Sequence, residues 1–136
     1  MTTPKINDMP ILRTDADLLD RVRLLIGPAA RDRQLWIVFI DGDGRQVPVM
    51  MPISDMPERP EPGTTAGLTT VLGGLRPDLV TADGEGSVAL VLERHGPDHV
   101  LPRDRDWAEA LTRAGADGEV ALRGLFLSTP GGVQQL

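Results

Sequence analysis

The sequence predicts an α/β domain: a mixed β-sheet sandwiched by helices, in the order α-β-β-α-β-α-β-β. Three observations carry this. Two solid apolar blocks, Leu35–Ile40 and Ser87–Glu93, are too short for buried helices and read as strands covered on both faces. A strong hairpin signal, Asp41-Gly42-Asp43-Gly44, follows the first block. Runs with helical spacing alternate with the strands, which favours layers of helix on sheet. The 136 residues suffice for one domain with a real core.

The elements follow in order. Residues 1–12 are polar, contain Pro4 and Pro10, and are expected to form a flexible N-terminal tail, leaving 13–136 as the single α/β domain. Thr14 and Asp17 have capping-box spacing. Leu18, Leu19, Val22, Leu25 and Ile26 then form one helical face, and Gly27-Pro28 ends it. The return strand of the hairpin spans about Gln46 to Ile53. Pro48 and Pro52 place it at an edge or give it a bulge. Ser54 to Gly63 is a proline-rich loop. Thr64 or Thr65 is the expected cap of a second helix with Leu68, Val71, Leu72 and Leu75 inward, weakened by Gly73-Gly74. Asp83-Gly84-Glu85-Gly86 is a connector. A third helix is expected over Asp104–Arg113, with Trp107, Leu111 and Ala114 on one face. A strand over Glu119–Leu127 and a Gly131-Gly132 turn into the last residues complete the chain.

Composition excludes several function classes. The chain is 40% hydrophobic and 25% charged, a globular balance. It has no cysteine, so disulfides, thiolate metal sites and cysteine nucleophiles are impossible. A net charge of −6 argues against a nucleic-acid partner or an anionic membrane surface. Lys5 is the only lysine, an arginine skew that carries no function. No apolar run reaches membrane-spanning length, and the N-terminus lacks the apolar core of a signal peptide, so a cytoplasmic protein is expected. No dinucleotide or P-loop glycine pattern is present. Asp41 and Asp43 open like a calcium loop, but no glutamate closes it, so the segment reads as a turn.

Candidate chemistry gathers after the second apolar strand, in Glu93-Arg94-His95-Gly96-Pro97-Asp98-His99 and then Pro102-Arg103-Asp104-Arg105-Asp106-Trp107. Sites in α/β sheets form at such strand ends. Glu93 and His95 are two apart and share a side in extended backbone. Asp106 follows in the first turn of the next helix, and all three residue types ligate zinc. The bland readings are surface histidines at 95 and 99, a helix-start role for Asp104, solvated charges at Arg103 and Arg105, and core roles for Trp36, Phe39 and Trp107.

These residues resemble the JAB/JAMM (MPN-like) metalloprotease motif, His-x-His-x7-Ser-x2-Asp, whose slots fall on Glu93, His95, Arg103 and Asp106. The flanking sequence is similar to the RadC-like branch: an apolar strand before the motif, Pro102 before the serine slot, an amphipathic helix after it, and a strand with a Gly-Gly hairpin resembling Leu125–Leu136. Leu35–Ile53 looks like the family's opening hairpin, so the resemblance covers about residues 33–136. It implies a cytidine-deaminase-like/JAB-like fold.

The slots depart from the family pattern. Glu93 replaces the first histidine, Arg103 replaces the serine, and no acidic residue lies between Gln46 and Ile53 to act as general base. The resemblance therefore implies the fold without the chemistry: a pseudoenzyme domain, catalytic residues none and cofactors none, serving protein–protein interaction. A protein partner or homo-oligomer is compatible with this. The alternative is a metal-dependent hydrolase holding zinc on Glu93, His95 and Asp106. A third reading, a nucleic-acid factor, rests only on historical naming in the RadC-like branch and is opposed by the acidic balance. Under the first reading Arg103 is expected to stand in for the metal and pair with Glu93, Asp106 or both.

Overall fold

The computed structural model describes residues 9–136. The chain forms α1 (Asp15–Leu25), β1 (Gln34–Ile40), β2 (Gln46–Ile53), α2 (Pro62–Leu75) running into a 3-10 turn (Arg76–Leu79), β3 (Ser87–Glu93), α3 (Pro102–Asp117), β4 (Ala121–Thr129) and β5 (Gly132–Gln135). This is the predicted order on one mixed five-stranded sheet, β2-β1-β3-β4-β5. β3 and β4 are parallel and joined through α3; the other neighbours are antiparallel.

The side-chain period of two divides the sheet between two cores. Leu35, Ile37 and Phe39 of β1, Val88, Leu90 and Leu92 of β3, and Leu125 and Leu127 of β4 pack with Leu68 and Leu72 of α2 and Trp107 and Leu111 of α3. Val38, Ile40, Ala89, Val91 and Phe126 face the other way, toward Leu18 and Val22 of α1. Every residue of β3 is buried, which explains its unbroken apolar run.

α1 begins as its capping box dictates. Thr14 Oγ1 accepts from the Asp17 amide at 3.0 Å, and Asp17 Oδ2 accepts from the Thr14 amide at 3.2 Å. After the helix, Gly27 takes φ +65°, a conformation glycine adopts without strain. α2 starts earlier than its threonines suggest, at Pro62, because proline at the first helical position is pre-set for the helix. The Thr65 hydroxyl instead donates to the Glu61 carbonyl at 3.1 Å. Gly73 lies where α2 approaches the end of α3: a Cβ there would meet the Gly118 carbonyl oxygen at 3.5 Å. α3 extends beyond Asp104–Arg113 at both ends. β4 begins at Ala121 rather than Glu119, since Glu119 takes φ +58° in the turn before the strand.

β2 is an edge strand, as its prolines predicted. The expectation of a flexible tail over residues 1–12 divides: 1–8 lie outside the described residues, while 9–12 are docked. The Gln46 amide donates to the Pro10 carbonyl at 2.9 Å and the Leu12 amide to the Gly44 carbonyl at 2.8 Å. Met9 and Leu12 are buried. No helix of the described residues is long and apolar enough to cross a membrane.

Candidate functional site at the carboxyl end of β3

Where β3 leaves the sheet, successive side chains go to opposite faces. Glu93 follows Ala89 and Val91 to the α1 face; Arg94 follows Leu90 and Leu92 to the α3 face. The two polar residues therefore enter different environments.

Glu93 is buried, and both oxygens of its carboxylate are hydrogen-bonded. Oε2 accepts from the amides of Ala30 at 2.6 Å and Arg31 at 2.9 Å. Oε1 accepts from the Trp36 indole Nε1 at 2.8 Å. Glu93 pairs with Gln34 across the β1–β3 ladder, so Trp36 is its diagonal neighbour on the same face. The loop between α1 and β1 is thus tied down by one carboxylate. Trp36, expected only as core, is half-buried and serves as a donor.

Arg94 and Asp104 make the one ion pair with both side chains nearly sealed from solvent among the described residues, at 4% and 1% exposure. Nε and Nη2 of Arg94 donate to Oδ1 and Oδ2 of Asp104 at 2.8 and 2.7 Å, the fork geometry that suits a carboxylate. The remaining donors meet the carbonyls of His95 at 3.0 Å, Pro97 at 2.8 Å and His99 at 3.1 Å. Asp104 Oδ2 also accepts from the Leu101 amide at 2.8 Å, fixing the start of α3. The 95–101 loop is wrapped around a guanidinium. Gly96, at φ +101°, makes room: a Cβ there would sit 3.3 Å from Arg94 Nη1.

The other candidates lie apart. His95 is exposed, and its backbone amide donates to Asp32 Oδ1 at 3.1 Å. His99 is exposed. Asp106 is exposed and pairs with Arg59 at 3.1 Å. Arg103 pairs with Glu58 at 2.9 Å, while Trp107 Nε1 donates to the Glu58 carbonyl at 3.1 Å. Asp98 accepts from the Thr129 hydroxyl and the Gly131 amide, each at 3.0 Å, and its carbonyl accepts from Gln134 Nε2.

The expected convergence of Glu93, His95 and Asp106 is therefore corrected. Glu93 lies on the α1 face of the sheet, Asp106 belongs to a helix on the opposite face, and a five-stranded sheet separates them. Among the described residues no three His, Cys, Asp or Glu side chains are grouped to hold a metal. Arg103 pairs with neither Glu93 nor Asp106, because Glu58 in the 54–61 loop reaches it first. The roles of Arg94 and Trp36 were missed. Strand parity was the available signal: Glu93 and Arg94 cannot share a face.

A second polar cluster joins the β1–β2 turn to the connector before β3. Asp41 Oδ1 accepts from the amides of Asp43 and Arg45 at 2.9 and 3.0 Å, the hairpin turn read from sequence. The Thr81 hydroxyl donates to Asp43 Oδ1 at 2.8 Å. Hydrogen bonds from Thr81 and then from Asp83 hold the Asp43 carboxyl below its ordinary range, while the adjacent Asp43 raises that of Asp83.

No protein-family model matches the chain, and neither does any curated protein or solved structure.

Proposed function

We propose that this chain is a non-catalytic domain of JAB/JAMM-like fold that works as a binding or assembly module. One observation carries the reading: the three buried ionisable groups at the carboxyl end of β3, Glu93, Arg94 and Asp104, where such a fold would keep its chemistry, are spent on the fold. Glu93 has three internal donors, and Arg94 and Asp104 have each other and the loop backbone. Three of the roughly four acceptor positions of the Glu93 carboxylate are taken by amide and indole donors from its own chain. The order of elements also supports the likeness, with an opening hairpin, a parallel β3–β4 pair bridged by α3, and a closing hairpin. A net charge of −6 favours protein partners over nucleic acid or anionic lipid. A cytoplasmic setting belongs to the same proposal, since a cysteine-free chain needs no oxidising compartment to fold.

Calorimetric titration of zinc into the metal-free full chain tests it, beside His95→Ala. The expected result is no saturable binding that depends on His95. One equivalent of zinc bound by the native chain and lost in His95→Ala would overturn the proposal in favour of a metal-dependent hydrolase.

A further inference from the structure

Among the described residues, the sheet's α3 face is incompletely covered at its β2 edge. A groove of about 200 Å³ opens there between β2 and the end of α2. Val47, Val49 and Met51 of β2 form one wall, Phe39 the floor, and Leu75 and Leu79 the other wall. Two of the three large apolar side chains most exposed among the described residues fall in it or beside it: Val49 at 60% and Val80, one residue past Leu79, at 52%. Exposed apolar surface of this kind marks interaction sites.

One charged residue lines the groove, Asp78. Its side chain is exposed and has no hydrogen bond or ion pair among the described residues. The nearby Arg76 is already occupied by Glu85 and Glu119, at 3.1 and 2.9 Å. Among the described residues, the groove thus offers an apolar trough with one uncompensated negative charge in its lining.

Val47, Val49 and Met51 are alternate residues of an extended strand, so they recur at about 6.6 Å. A segment running beside β2 in extended form presents its own alternate side chains at the same interval. Pro48 and Pro52 lack amide donors, but their carbonyls still accept. That chemistry suits a strand-like occupant that donates more than it accepts.

We propose that this groove docks an extended segment of a partner protein, with apolar side chains at alternate positions and a lysine or arginine placed to meet Asp78. The inference deepens the binding reading and rests on it. The recognition mode is strand addition beside a helix, with side-chain pockets giving selectivity.

The test uses the methyl-labelled full chain and a synthetic acetylated peptide of alternating valine and threonine ending in lysine. The expected result is saturable shifts of the Val47, Val49, Met51 and Leu75 methyl signals. The same peptide ending in glutamate should bind about three- to fivefold more weakly, the range of an exposed charge contact. Asp78→Asn, at an exposed position, should abolish that preference while the fold persists. Equal affinity for both peptides, or no saturable shift at millimolar peptide, overturns the proposal. So do shifts that follow protein concentration alone, which would make a second copy the occupant, or equal binding of octylamine, which would make the site one for small amphipathic amines. The zinc titration is independent: zinc binding at His95 sinks the non-catalytic reading whatever the peptide does, and failure of the peptide leaves the zinc result standing.

Discussion

Arg94, the residue that follows β3, grips both carboxylate oxygens of Asp104 in the first turn of α3, at 2.8 and 2.7 Å. Its other donors reach three carbonyls of the loop between them. A cation at the centre of a loop organises it from inside. The pair is also the joint between the central strand and the helix that covers it.

Removing one member of this pair leaves an uncompensated buried charge. Asp104→Ala and Arg94→Met should each cost about 3–5 kcal/mol in urea unfolding. Arg94→Met should be the worse of the two, because it also strips donors from the carbonyls of His95, Pro97 and His99. The double variant Arg94→Met/Asp104→Leu should recover part of the loss. Additive losses would contradict the pairing.

Glu93→Gln keeps the shape of the side chain and one acceptor, but removes the charge and offers an amide group to backbone donors. A loss of about 1–3 kcal/mol is expected, with Glu93→Ala costing more. Amide exchange at Ala30 and Arg31 should quicken in both variants, and the emission of Trp36 should change. Unchanged exchange at those two amides would show that Glu93 does not hold the loop.

The Asp43–Asp83 cluster gives a pH signature of two opposite signs. Asp43 is held below its ordinary value, chiefly by the Thr81 hydroxyl. Its stabilising contribution is present above the unfolded value and lost as pH falls through its folded one. Asp83 is raised by Asp43. Its contribution is present below the unfolded value and lost as pH rises through the folded one. Carbon-detected titration should find Asp43 on the low side and Asp83 on the high side of an ordinary aspartate, and Thr81→Val should move Asp43 upward. Two coincident, unshifted titrations would refute the contact.

Two glycine replacements should act in opposite directions. A Cβ at Gly42 would fall 2.1 Å from the Gly84 carbonyl oxygen and 2.5 Å from Thr81 Oγ1, so Gly42→Ala forces two turns apart and should cost about 1–3 kcal/mol. A Cβ at Gly67, within α2, meets nothing within 4 Å, so Gly67→Ala should stabilise by about 0.5–1 kcal/mol. Thermal unfolding of the two variants checks both signs.

Most of the fold was legible because local chemistry and tertiary context agree. The Thr14 and Asp17 spacing, the Asp41–Gly44 turn and the unbroken apolar run of β3 are each realised, and of the two readings of the β2 prolines, edge or bulge, the edge position is seen. Boundaries shifted where a single residue outweighed the pattern, as with Pro62 at the start of α2 and the left-handed Glu119 before β4. The candidate site was less legible. Spacing alone brought Glu93, His95 and Asp106 together, but spacing does not say which face α3 covers. Once α3 lies on the Leu92 side, Arg94 turns toward it and Glu93 turns away. The partners that hold Glu93 come from residues 30, 31 and 36, far off in sequence, and no local signal announces them.

The double-mutant cycle between Glu93→Gln and Asp106→Asn, read by urea unfolding with and without zinc, tests the central claim most directly. Residues on opposite faces of the sheet with no shared partner should show losses that add within about 0.3–0.5 kcal/mol, and zinc should not change the sum. A coupling of about 1 kcal/mol or more that grows when zinc is added would place both carboxylates at one ion and contradict the account.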